Sequence, residues 1–151
     1  RTLKECFGGD GLRMAAAYYG MVCRSIEERD GEIVGHLNLI EKFNDDGRFF
    51  DAEDPRYLSL AMEAVRLAAE RDRIVEINTG AMSRGYRAEP YPSRAMLTEL
   101  RRRGGRIAVT SDCHRAEWID FGFDRAVQLA RDCGFDSQWV WRDGALREAA
   151  L

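Results

Sequence analysis

Apolar residues recur three and four apart between Asp10 and Arg29 (Leu12, Ala15, Ala16, Tyr19, Val22, Cys23 and Ile26), a spacing that predicts an amphipathic helix with Asp10 as its N-cap. Asp30-Gly31 breaks that pattern, and Glu32-Ile33-Val34-Gly35-His36-Leu37 reads as a short strand with a histidine at its end. From Phe43 to Pro55 the chain is polar and rich in Asp and Gly, the composition of a loop. Pro55 opens a second helix to about Arg71, with Leu58, Ala61, Val65 and Ala68 on its apolar stripe. Ile74-Val75-Glu76-Ile77-Asn78 is the next strand, followed by a loop from Thr79 to Arg87 dense in hydrogen-bonding groups. Pro92 is expected in the first turn of a helix that runs to Arg103, where Gly104-Gly105 stops it. Arg106-Ile107-Ala108-Val109-Thr110 forms another strand, Phe123 to Cys133 a last helix ended by Gly134, and Trp139-Val140-Trp141 with the turn Arg142-Asp143-Gly144 closes the chain.

This alternation, αβαβαβαβ, predicts an α/β fold with a parallel sheet. A chain of 151 residues fits one domain and can bury a useful core. Its net charge of −3 argues against a general nucleic-acid or anionic-membrane surface. No apolar run approaches the ~18 residues of a membrane span, and the start of the chain lacks the regions of a signal peptide. Cys6, Cys23, Cys113 and Cys133 are scattered without CxxC spacing, which points to reduced thiols and a cytoplasmic location rather than to disulfides or a zinc ribbon. Tyr18-Tyr19 and Trp139-Val140-Trp141 are expected to serve packing, and Arg101-Arg102-Arg103 to sit at a helix C-terminus where cations favour the dipole.

Asp112 and His114, two apart at the end of a strand, carry the candidate chemistry. A carboxylate oxygen and an imidazole nitrogen are ligand types that hold zinc, manganese or iron. An N-cap aspartate followed by a solvated histidine gives the same spacing. The chain has only two histidines, and the other, His36, also closes a predicted strand. Three successive strands therefore end in chemically able residues: His36 with Asn38, Glu76 with Asn78, and Asp112 with His114. In α/β folds such ends share one face, where active-site groups gather. Cys113, alternating away from its neighbours, is not expected to be a nucleophile.

Five segments, in this order, resemble the PHP (polymerase and histidinol phosphatase) metallophosphoesterase superfamily, and within it the histidinol-phosphate phosphatases. They are Phe7-Gly8-Gly9-Asp10, Gly35-His36-Leu37-Asn38-Leu39-Ile40-Glu41-Lys42-Phe43-Asn44, Glu76-Ile77-Asn78-Thr79-Gly80-Ala81-Met82-Ser83-Arg84-Gly85-Tyr86-Arg87, Pro90-Tyr91-Pro92-Ser93 and Ser111-Asp112-Cys113-His114. The Glu-Ile-Asn-Thr-Gly-Ala run joined to Ser-Asp-x-His is the specific part. The resemblance implies a distorted (β/α)7 barrel with two or three divalent metals (Mn, Zn or Fe) at its C-terminal mouth. About four βα units of that fold are present, so residues 1–151 are expected to be the C-terminal part of one such domain, with the N-terminal units missing; the chain starts at Arg1, without a methionine.

By the same resemblance, His36, Asp112 and His114 are metal ligands, and Glu76 and Asn38 lie behind them. Arg84, with Arg87, Lys42 and Asn78, holds the substrate, and Asp112 is the candidate to protonate the leaving alkoxide. For the arginines and Lys42 the plain alternative is a solvated surface charge, and for Glu76 a partner to a nearby cation. Two positions depart from the family pattern: Asn38, where an Asp is usual, and Cys113, where a small residue is usual. The family's His-x-His, further histidines and bridging Glu have no counterpart here. The expected activity is metal-dependent hydrolysis of L-histidinol phosphate, a small phosphorylated metabolite of histidine biosynthesis. The alternatives are a related phosphoesterase for another small ester and a non-catalytic fragment that packs against a partner.

Overall fold

Asp10 starts the first long helix as the spacing predicts: its carboxylate accepts the Arg13 amide at 3.0 Å and takes up an N–H left free at the helix start. A computed structural model describes residues 2–44 and 46–151 as a mixed α/β structure with six α-helices among them. In chain order these are α1 (Thr2–Phe7), α2 (Gly11–Glu28), β1 (Ile33–Val34), α3 (Pro55–Glu70), β2 (Ile74–Asn78), α4 (Gly80–Ser83), α5 (Arg94–Arg102), β3 (Arg106–Thr110), α6 (Phe123–Asp132), β4 (Ser137–Arg142) and β5 (Ala145–Ala150). Single 3-10 turns lie at Leu39–Phe43 and Ala116–Trp118. None of these helices is long and apolar enough to cross a membrane.

Strands β1, β2 and β3 form a parallel sheet in that order, with Val34 beside Val75 and Glu76 beside Ala108. Alternation sends Val75, Ile77 and Ile107 to one face, where they join Tyr19, Ala61, Val65, Ala68, Leu97, Leu100 and Ala130 in the core beneath the helices. Glu76, Asn78 and Thr110 therefore share the opposite face.

Four expectations need correction. β1 is two residues long, not six, because the chain leaves the ladder at Gly35 and turns at His36, whose φ is +29°. Helix α5 begins at Arg94 with Ser93 as its cap, so Pro92 precedes the helix instead of opening it. The loop after β2 contains the short helix α4. The final strand is not a fourth member of the parallel sheet: β4 pairs antiparallel with β5 around Asp143-Gly144, both at positive φ, as a tight hairpin turn demands. This hairpin lies beside β3, where the Gln138 side chain accepts the Val109 amide at 3.2 Å. The sheets do not close into a barrel among the described residues.

One close approach seats α2. A Cβ on Gly11 would fall 1.8 Å from the Phe49 carbonyl oxygen, so only glycine lets the helix start lie against the 49–50 backbone. Gly11→Ala is expected to lower stability by about 3 kcal/mol, as overpacking against backbone does. Urea unfolding followed by circular dichroism checks this, and an unchanged midpoint would refute the close packing.

Candidate functional site

The C-terminal ends of the three parallel strands are tied together by one carboxylate. Glu76 Oε2 accepts the His36 backbone N–H at 2.6 Å and the Asn78 Nδ2 at 3.0 Å, while Oε1 accepts the Thr110 hydroxyl at 2.6 Å. Glu76 thus orients the loops after β1 and β2 and the end of β3. The bond to the His36 amide also holds that residue in a left-handed conformation a non-glycine side chain resists. Asn78, buried, passes the order onward: its Oδ1 accepts the Gly80 amide at 2.9 Å and so starts α4.

Helix α4 delivers Arg84 to Asp112. The guanidinium donates through Nη2 to Asp112 Oδ2 at 3.1 Å and through Nη1 to the Asp112 carbonyl at 3.1 Å. Gly80 is a requirement that sequence reasoning passed over. A Cβ there would stand 2.8 Å from Arg84 Nη2 and 3.0 Å from Asp112 Cβ. Asp112, like His36, has a positive φ, +43°. Burial pushes its carboxyl up, but hydrogen bonds from Arg84 and Asn78, with the nearby charges of Arg84 and His114, hold it below its ordinary value. Asp112 is therefore held as an anion in the free chain, the state suited to binding a cation. His114 Nε2 lies 3.6 Å from Asp112 Oδ1, and its ring is largely exposed.

Arg87 stands apart from Arg84. Its Nη1 donates to Glu41 Oε2 at 2.9 Å inside the protein, with side-chain exposures of 13% and 8% for the pair. Tyr57 donates to the other oxygen of Glu41 at 2.6 Å, and the Tyr19 hydroxyl lies 2.9 Å from that of Tyr57. Burial, reinforced by the neighbouring Tyr19 phenol and the Glu41 carboxylate, pushes the Tyr57 phenol far up, so it stays a donor. Arg87, expected to help hold phosphate, stands here in a buried ion pair that joins the loop after β2 to the 39–43 turn and α3. Lys42 Nζ sits over the rings of Phe43 and Tyr86 at 5.1 and 4.8 Å. Asn38 is wholly buried, and neither atom of its amide has a hydrogen-bond partner among the described residues. The turn around it is held by Tyr18, whose hydroxyl donates to the Leu37 carbonyl and accepts the Leu39 amide.

A divalent-metal site fits these residues only in part. Asp112 and His114 offer the right donor chemistry side by side, but one Asp112 oxygen is already committed to Arg84. Among the described residues, no three His, Cys, Asp or Glu side chains are grouped to hold a metal ion, so His36, Asp112 and His114 do not form the expected three-ligand cluster. All four cysteines are free thiols. Of the tryptophans, Trp139 lies under the Arg106 guanidinium and Trp141 is exposed at the hairpin.

No protein-family model matches the chain, and no curated protein matches it at a significant level.

The Glu41–Arg87 pair yields a direct test. Arg87→Ala leaves the Glu41 carboxylate buried without its cation and is expected to cost about 3 kcal/mol, while Arg87→Leu combined with Glu41→Leu recovers most of that loss. Urea denaturation of both variants checks this, and an undiminished midpoint for Arg87→Ala would return Arg87 to the list of free phosphate anchors.

Proposed function

We propose that this chain is the C-terminal part of a PHP-type, metal-dependent phosphomonoesterase acting in the cytoplasm on L-histidinol phosphate. The observation that supports it most is the convergence at one sheet end. Glu76 draws together the loop carrying His36 and the end of β3, and Asn78 and α4 bring Arg84 onto Asp112. These are the segments that carry the resemblance, placed where an α/β enzyme keeps its reacting groups.

On this reading Arg84 is the phosphate anchor. Its planar fork presents parallel donors that match two phosphoryl oxygens, which a lysine cannot do. Its present partner, the half-buried Asp112, is the group a phosphate competes with for the guanidinium. Asp112 and His114 form the partial donor set for a divalent ion, and the remaining donors come from segments outside these 151 residues. A metal bound there supplies charge neutralisation and a more acidic water, both needed because phosphate monoesters hydrolyse extremely slowly unaided. A second reading, a non-catalytic piece of such a protein, is favoured by the lack of a three-donor group among the described residues and by the partnerless amide of Asn38.

The deciding experiment uses the full-length protein with manganese or zinc and measures phosphate release from L-histidinol phosphate. Turnover is expected, with kcat/KM falling at least about a hundredfold in Arg84→Ala, since a charge-assisted bidentate contact to the transferred group is lost. Activity that survives Arg84→Ala and His114→Ala together would sink the assignment. Calorimetry on the 151-residue chain alone is expected to show weak metal binding, and tight binding of three ions would contradict the partial site.

A further inference from the structure

Phe43 and Tyr86 are large aromatic residues left 55% and 41% exposed. Their rings meet edge to face, with centroids 5.2 Å apart and planes at 80°. Over both stands an ammonium group, Lys42 Nζ, 5.1 Å from one centroid and 4.8 Å from the other. Two faces sharing one cation are what the ring quadrupole favours, and the same arrangement recognises ammonium ligands elsewhere in protein chemistry. The two rings also come from different strand-end loops. Phe43 ends the 3-10 turn that follows His36 and Asn38, and Tyr86 lies two residues beyond Arg84. Lys42 and Phe43 further line an apolar cavity of about 550 Å³ with Met14, Tyr18, Ile40 and Phe49, ample for the body of a small ligand.

We propose that the Phe43–Tyr86 ring pair is a cation-binding site, held at rest by Lys42, which takes the ammonium of an amine-bearing phosphate ester and so frees Lys42 to reach the ester's phosphate. The cation site stands on the ring geometry alone, and the choice of ester rests on the phosphomonoester reading above. Lys42 is the internal stand-in: its tethered ammonium shows which charge the rings accept. A substrate amine replaces one ammonium with another, so the rings keep a cation while the Lys42 ammonium is released to pair with the ester's phosphate.

The probe for the site is choline, added to the 151-residue chain and to its Lys42→Met variant, with the choline methyl protons followed by NMR. Ring currents are expected to move those signals upfield and saturably in Lys42→Met. Its affinity is expected to be about tenfold above that of the unaltered chain, where Lys42 must first be displaced. Adding Tyr86→Leu to Lys42→Met is expected to abolish the shift; because Tyr86 is exposed, the fold survives, as an unchanged amide spectrum would show. Choline behaving alike in the single and double variants would overturn the proposal. For the substrate class, the full-length protein with manganese is expected to bind 2-aminoethyl phosphate several-fold more tightly than ethyl phosphate, read as KM, and Tyr86→Leu to erase that preference without weakening ethyl phosphate. Equal affinity for the two esters would overturn the amine preference. Choline binding with neither ester bound would support the cation site and count against the phosphomonoester reading.

Discussion

One carboxylate sets the geometry on which the candidate site depends. Glu76 receives an amide, a carboxamide and a hydroxyl from three different segments, all as donors. An ionised carboxylate only accepts, and it has room for about four such bonds. A glutamine there would turn an N–H₂ toward at least one of these donors and lose the arrangement. The bond to His36 also explains why the first strand is so short. Drawn to Glu76, the His36 amide cannot continue the ladder, and the backbone turns left-handed at that point. Register, turn and site therefore follow from the same side chain.

The elements most legible in the sequence were those whose own residues decide them. Alternating β-formers bounded β2 and β3 correctly, Asp10 caps α2, and Pro55 opens α3. The segment Ala145–Ala150 was missed because Ala, Leu, Arg and Glu favour helix; only pairing with β4 makes it a strand, a tertiary effect that local preference does not carry. Helices α1 and α4 are too short for a 3.6-residue period to register. At the site, all four residues of the Arg84–Asp112 and Arg87–Glu41 pairs lie in the segments that carry the resemblance, but neither pairing was legible, since nothing along the chain announces contacts between residues 28 and 46 apart.

Those two arginines, three positions apart, show how burial divides like residues into different roles. Arg87 meets a carboxylate that is itself buried, so separating the pair strands a charge in a poor solvent. Arg84 meets Asp112, 35% of whose side chain is exposed. Water and the neighbouring donors can compensate Asp112 when the guanidinium turns to an incoming anion. On the proposed reading, an exchangeable Arg84–Asp112 pair and a fixed Arg87–Glu41 pair would let one loop both hold its shape and bind.

Several departures from ordinary packing lie at the same end of the sheet, although Arg73 and Arg106, at its other end, also bury a partnerless Nε. His36 and Asp112 take positive φ; Asn38 and Tyr91 bury polar atoms without partners; Phe43 and Tyr86 hold large rings in solvent. Asp72 and Asp143 also have positive φ, but each lies between two elements, where aspartate does so readily. The helical face of the sheet, by contrast, is built of buried Ala, Val, Leu and Ile with no strained residue among them. Each burial of an unpaired polar group costs on the order of 1–3 kcal/mol. Features of that cost tend to persist where function requires them, and on the proposed reading those on the loops after β1, β2 and β3 are the ones that serve the site.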